Sequence, residues 1–193
     1  VSRFPFLGPI ALALLVALPA LGTARAQSPA AAATPPPTAA AEEGVDAEMQ
    51  RKLPLPRFVS LKSARVNLRV GPGKDYAVSW LYLKQGLPVE VIQEFDLWRR
   101  IRDSEGTEGW VYHSLLSGER TALAAPWLKG KTQAVITMHR SAASDGAVVA
   151  EMEPGVLTRV RECSFGWCEV EAAGRRGFVT QKEIWGVYPD ERF

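Results

Sequence analysis

Few side chains in this sequence are of the kinds that do covalent or metal chemistry. Its two histidines, His113 and His139, stand apart and lack the short spacing by which a turn or strand presents ligands to a metal. Neither a Gly-x-Ser-x-Gly elbow nor a His-Glu-x-x-His helix occurs. A cysteine hydrolase needs a free thiol beside a base, and the two cysteines suggest another use. Cys163 and Cys168 bracket Ser164-Phe165-Gly166-Trp167, so a four-residue loop would set them opposite each other across a hairpin. Side chains so placed lie close to disulfide reach. A pair of buried free cysteines is the alternative, whereas a redox motif needs two intervening residues. The acids are scattered, and a glycosidase pair would need a deeper cleft than a small barrel offers. The expectation is a non-catalytic protein with no metal and no cofactor.

What remains is binding chemistry. Tyr76, Trp80, Tyr82, Trp98, Trp110 and Tyr112 crowd one stretch, interleaved with Asn67, Arg69 and Arg100. Amphipathic aromatics beside Arg and Asn suit a shallow peptide or glycan groove, because they offer large contact area at low entropic cost. The candidate ligand-binding residues are Asn67, Arg69, Tyr76, Trp98, Arg100 and Tyr112. Small barrels also use Trp and Tyr to fill a tight core, and the reading for Trp110 is core packing. In a regular strand Trp98 shares a face with Arg100 and Arg102 while Ile101 points the other way, so Ile101 is expected inside and Trp98 outside. The Asn67 amide can bond a nearby turn. Arg69 can face a ligand carboxylate or lie over a ring. Structural roles are the first expectation for both.

The elements that must position these residues are short strands. Arg65 to Val70 alternates polar and apolar and meets the turn Gly71-Pro72-Gly73; Val78–Leu83, Leu87–Phe95, Trp98–Asp103 and Gly109–Tyr112 follow at turn-separated intervals. The region from Thr137 to Gly186 repeats the pattern about seventy residues on: Gly86 falls on Gly155, Val91 on Val160, Trp98 on Trp167, Ile101 on Val170, Val111 on Val179, Leu116 on Ile184 and Gly118 on Gly186. The match sets Glu94 on Cys163 and Arg99 on Cys168. An acid–base pair and a cysteine pair at equivalent sites argue that the sites face each other. The fold class is all-β, two small barrels in tandem. At about 60 residues each core is marginal, so the barrels are expected to pack together.

The ends read differently. Arg3, an apolar run from Leu7 to Leu21 and Ala24-Arg25-Ala26 resemble a cleaved secretory signal over residues 1–26, cut after Ala26. An uncleaved anchor is the alternative, but Pro9, Pro19 and Gly22 interrupt a run already short of the roughly 20 residues of a membrane span. Val1 is compatible with an alternative start codon or with a beginning further upstream. Residues 27–54 are Ala- and Pro-rich, a composition that cannot offset its ordering entropy, and read as a disordered linker. The barrels are then 55–120 and 121–193. Lys plus Arg number 23 against 21 acids, and removing Arg3 and Arg25 equalises them. No basic face marks a nucleic-acid binder, and Arg99-Arg100-Ile101-Arg102 reads as a solvated strand face before an anion site. A periplasmic or secreted location follows, with no membrane anchor after cleavage.

Asn67-Leu68-Arg69-Val70-Gly71-Pro72-Gly73, then Tyr76, Gly86, Trp98 and Gly109-Trp110-Val111, resemble the bacterial SH3 (SH3b) family, and the chain is similar to exported tandem bacterial SH3-like proteins of unknown function. The resemblance implies a bent five- or six-stranded barrel in each copy. It also implies binding of peptidoglycan or a cell-envelope peptide; the alternative is a protein-interaction or scaffold module with no wall affinity. The second copy has Ser141, Ala142, Ala143 and Gly146 where the first has Gly71, Pro72, Gly73 and Tyr76. A groove, if used, is expected on the first copy. Trp185 and Tyr188 are expected to cover the open end of the second barrel or the seam between copies.

Overall fold

Residues whose side chains alternate between apolar and polar can lie flat against a core only as strands, and such strands dominate the chain. The computed structural model describes residues 53–193; the proposed signal and most of the proposed linker lie outside the described residues. The first sheet contains β1 (Arg57–Leu61), β2 (Val66–Arg69), β3 (Val78–Tyr82), β4 (Pro88–Phe95), β5 (Trp98–Arg102), β6 (Glu108–Tyr112) and β7 (Leu116–Ser117). The second contains β8 (Thr121–Ala124), β9 (Ile136–His139), β10 (Val148–Met152), β11 (Leu157–Ser164), β12 (Trp167–Ala172), β13 (Arg175–Thr180) and β14 (Ile184–Trp185). Among the described residues no α-helix occurs, only three single 3-10 turns. Strand order is β3-β2-β6-β5-β4-β1-β7 in the first sheet and β10-β9-β13-β12-β11-β8-β14 in the second. The two copies share one topology.

Seven strands per sheet exceed the five or six expected. The excess has a simple origin. Arg57–Ser60 pairs antiparallel with Val91–Pro88, and the two-residue β7 then pairs with β1. In the second copy β8 and β14 repeat the arrangement on β11. Alternation places the cores as expected: Val66, Leu68, Val89, Val91, Ile101 and Val111 are buried in the first, and Ile136, Met138, Val160, Val170 and Val179 in the second. Trp110 departs from its expected core role. Its neighbours Gly109 and Val111 take the inward positions, so Trp110 points outward and is half-buried, edge-on to Phe95 at 6.5 Å.

The hairpin register is the one that the repeat predicted. Cys163 pairs with Cys168 and Glu94 with Arg99. The cysteines form a disulfide, and Arg99 Nε lies 2.9 Å from Glu94 Oε1. The connection is tighter than a four-residue loop, because Ser164 also pairs with Trp167, and Phe165 and Gly166 make the turn with φ of 50° and 80°. Positive φ at both central residues is the type I′ pattern that matches strand twist.

A second pair changes in the same concerted way. Tyr82 is buried and its hydroxyl donates to Asp103 Oδ2 at 2.9 Å, while Asp103 Oδ1 accepts the N–H of Glu105 and of Thr107. Burial, then the Asp103 charge, pushes the Tyr82 phenol well above its ordinary range. Strand pairing aligns Tyr82 with Met152 and Asp103 with Ala172. With the ring and the carboxylate both gone, a cavity of about 490 Å³ opens among Met138, Met152, Val156 and Ala172.

The tail and the first barrel meet at a seam. Phe58 on β1 packs edge-on against Trp185 at 5.1 Å and, with the rings tilted by 42°, against Tyr188 at 4.7 Å. Tyr188 Oη donates to Glu90 Oε1 at 2.9 Å, and Thr121 Oγ1 donates to the Gly86 carbonyl at 2.7 Å. The tail itself is held by Arg120, which gives two hydrogen bonds to the Glu191 carboxylate and one to the Gly186 carbonyl while its guanidinium lies 4.3 Å over the Phe193 ring. Burial raises the Glu191 pKa, but the Arg120 bonds and the Tyr188 N–H outweigh it and hold the carboxyl below its ordinary range. Gly186, at φ 130°, lets the chain pass against the Thr121 carbonyl where a Cβ would collide. Trp185 and Tyr188 therefore serve the seam, the second of the two roles expected for them.

Phe58→Ala removes the ring shared by the two barrels. Urea unfolding should show a loss of about 3 kcal/mol and a lower m-value or two transitions in place of one; a single unshifted transition would show that the barrels stand independently. The Cys163→Ser/Cys168→Ser double variant should lose about 2 kcal/mol for so short a loop. Thiol titration of the denatured, unreduced wild type should find no reactive thiol.

Candidate functional site

On the outer face of the first sheet, β5 and β6 put Trp98 directly opposite Tyr112. Their rings meet edge-to-face at 5.5 Å, an arrangement favoured by the ring quadrupoles. Beside them lies an open groove of about 500 Å³. Trp98 and Tyr112 form one part of its lining, Asn67 and Arg69 of β2 another, with Leu81, Ser114 and Leu115 completing the apolar and hydroxyl surface. Arg65 and Lys74 add two further cations.

Four of the six candidates thus surround one concavity. Tyr76 and Arg100 are outside its lining. Arg100 instead pairs with Glu108 at 2.9 Å across the sheet. Tyr76 lies on the neighbouring loop, half exposed, with its carbonyl accepting from Arg69 Nη1 at 2.6 Å. The Asn67 side chain is exposed and makes no hydrogen bond to the described residues. Sequence reasoning passed over Arg65 and Lys74. Period-two alternation was the available signal for Arg65, since residues 65, 67 and 69 share a face; Lys74 is carried in by the loop.

The basic run of β5 is neutralised within the sheet. Arg99 pairs with Glu94, Arg100 with Glu108, and Arg102 with both Glu90 and Glu108. The hydrogen bond from Arg102 holds the Glu108 carboxyl below its ordinary range. The run expected as a solvated face is thus ion-paired and in part buried, the Arg99–Glu94 pair most of all, and its guanidinium groups are engaged within the sheet.

The loop from Gly71 to Tyr76 shows why its glycines are there. The Tyr76 ring lies directly on the Gly71 backbone and against Gly73, and a Cβ at Gly71 would overlap ring carbons. In the second copy the loop keeps its closing bond, Arg140 N–H to the Ala147 carbonyl at 2.8 Å matching Val70 N–H to Ala77 at 3.1 Å. There the glycine has changed sides: Ser141 stands for Gly71 and Gly146 for Tyr76, and a Cβ at Gly146 would strike Ser141 Oγ. Arg69 is replaced by His139, whose Nδ1 lies 2.9 Å from the Gly146 carbonyl. A carbonyl only accepts, so Nδ1 carries the proton. His139 packs edge-on to Trp167 at 5.7 Å. The second copy keeps the anchor and one wall, but Val135, Thr137 and Ser144 stand where the first has Arg65, Asn67 and Lys74.

Gly71→Ala should cost about 1–3 kcal/mol by overpacking, and Tyr76→Gly in the same chain should recover most of it. A double-mutant cycle by thermal unfolding reads this coupling; strict additivity would mean that ring and glycine are independent.

No curated protein matches the chain in a sequence search. Among solved structures, NlpC2 from Trichomonas vaginalis is similar at 8% identity with a TM-score of 0.31, covering 69% of this chain and 49% of that one. NlpC1 from the same organism is similar at 9% identity with a TM-score of 0.31, covering 70% of this chain and 47% of that one. The chain spans about half the length of either structure. The sequence profile of the bacterial SH3 domain matches residues 62–118 and 133–186, one segment in each sheet. These two segments make up more than half of the sequence, and the chain belongs to the bacterial SH3 domain family.

Proposed function

We propose that the protein is an exported, non-catalytic binding module of the cell envelope whose first barrel holds a cell-wall peptide against the Trp98–Tyr112 wall. The observation that carries the reading is the groove itself: two half-exposed aromatics, an exposed amide at Asn67 and a fixed guanidinium at Arg69 around one concavity. Aromatic walls give contact area at low entropic cost, and a few polar groups set orientation. Membership in the bacterial SH3 family makes wall peptide the first ligand to consider. The histidines have other contacts: His113 stacks beside Tyr112 at 4.9 Å and His139 holds its loop. Both cysteines are joined to each other, which leaves no thiol for a Cys–His hydrolase. Among the described residues no helix is long and apolar enough to cross a membrane, and export rests on the leader-like sequence of residues 1–26.

The second barrel, with its altered loop and without the cations, is the support. It carries the tail that packs on Phe58 and so holds the first barrel in place. Incubation with purified sacculi should retain the protein, and Trp98→Ala with an unchanged far-UV spectrum should cut retention about tenfold, the ordinary scale for losing a buried aromatic anchor. Absence of retention while a control wall binder is retained would overturn the reading in favour of an envelope protein partner.

A further inference from the structure

The groove carries an electrostatic bias that its aromatic wall does not explain. Arg65, Arg69 and Lys74 line it, and no Asp or Glu does. Asp75, the acid next in the loop, is outside the lining. Elsewhere on this barrel the described arginines each have a carboxylate partner: Arg57 and Arg99 share Glu94, while Arg100 and Arg102 share Glu108, with Glu90 also on Arg102. Among the described residues no ion pair involves Arg65, Arg69 or Lys74. Charge is sorted to this extent: the arginines of the sheet are ion-paired, and three cations without an ion pair among the described residues gather around one concavity.

From this sorting we infer that the groove recognises a short peptide through a carboxylate group. The inference rests on the peptide-binding reading above and names the part of the ligand that is held. Arg69 is the fixed element. One of its terminal nitrogens is tied to the Tyr76 carbonyl at 2.6 Å, and a guanidinium has five N–H donors, so the side chain is oriented while donors remain for a carboxylate. A guanidinium already held loses less entropy on forming such a bond. Arg65 and Lys74 are exposed and act at longer range, by attraction that salt screens. Trp98 and Tyr112 then take the peptide flank. The second copy argues the same way by contrast. Val135, His139 and Ser144 occupy the three cationic positions, and the His139 nitrogen nearest the loop is spent on the Gly146 carbonyl. One copy is built for an anionic group and the other is not.

The test is a titration of the full chain, read by the Trp indole N–H resonances and the amides of residues 65–69. The probes are the acetylated peptide Ac-Ala-Ala-Glu-Ala with a free C-terminus and its neutral analogue Ac-Ala-Ala-Gln-Ala-NH2. The acid should bind saturably, and the neutral peptide about tenfold more weakly, the usual scale of a charge-assisted hydrogen bond. Arg65→Gln and Lys74→Gln, both at exposed positions, should each narrow the difference in affinity between the two peptides. Raising salt from about 20 mM to about 300 mM should weaken only the acid. Equal affinities, or no saturable shift with the acid, would overturn the inference. Displacement by inorganic phosphate at lower concentration than the peptide would overturn it too, in favour of a general anion site. Retention on sacculi without discrimination between the peptides defeats the carboxylate and spares wall binding; discrimination without retention does the reverse.

Discussion

The contact on which the architecture depends is the enclosure of Phe58 by Trp185 and Tyr188. A barrel of about 60 residues buries too small a share of its surface to be robust by itself. Here the tail of the second copy supplies the missing cover to the first. The contact also draws in polar partners, Tyr188 to Glu90 and Thr121 to the Gly86 carbonyl. Arg120 fixes the far side of the tail through Glu191. A chain of contacts thus runs from the second core to β4, the strand that pairs with Trp98's own strand.

Comparison of the copies shows that what persists is a relation between positions and not the residues filling them. Glu94 with Arg99 becomes Cys163 with Cys168. Gly71 beneath Tyr76 becomes Ser141 above Gly146. Tyr82 bonded to Asp103 becomes Met152 beside Ala172. In each case the strand register puts two side chains in one space, and a change on one side is met by a change on the other. The groove is the place where this conservation of relations stops. Arg69 and His139 both anchor a loop, yet the cations flanking Arg69 have no successors, so the second copy retains the scaffold without the charge.

Strand identity, core membership and the hairpin register were legible in the sequence, since period-two alternation and the internal repeat are local signals. Val66, Leu68, Ile101 and Val111 are buried as their alternation required. The Cys163–Cys168 pairing was readable because the two copies present different chemistries at one pair of sites. Trp110 was misplaced because composition favoured the core, whereas the small Gly109 and Val111 take the inward positions and leave the ring outside. The extra strand β1 escaped notice because its partner, β4, is distant in sequence.

The sequence by itself thus determined the five central strands of the first copy and their repetition in the second, the pairing across the Glu94/Arg99 and Cys163/Cys168 hairpins and the family, all of which follow from neighbours along the chain. Only the tertiary structure decided which polar side chains share a space. It joined Arg100 to Glu108 and removed it from the groove, and it brought Lys74 of the loop onto the same groove as Arg65, the residue before β2. It also chose the seam over the barrel end for Trp185 and Tyr188. The physical reason is common to all three: these contacts run across a strand pair, a loop and a seam, and alternation along one strand carries no information about which side chains reach each other across them.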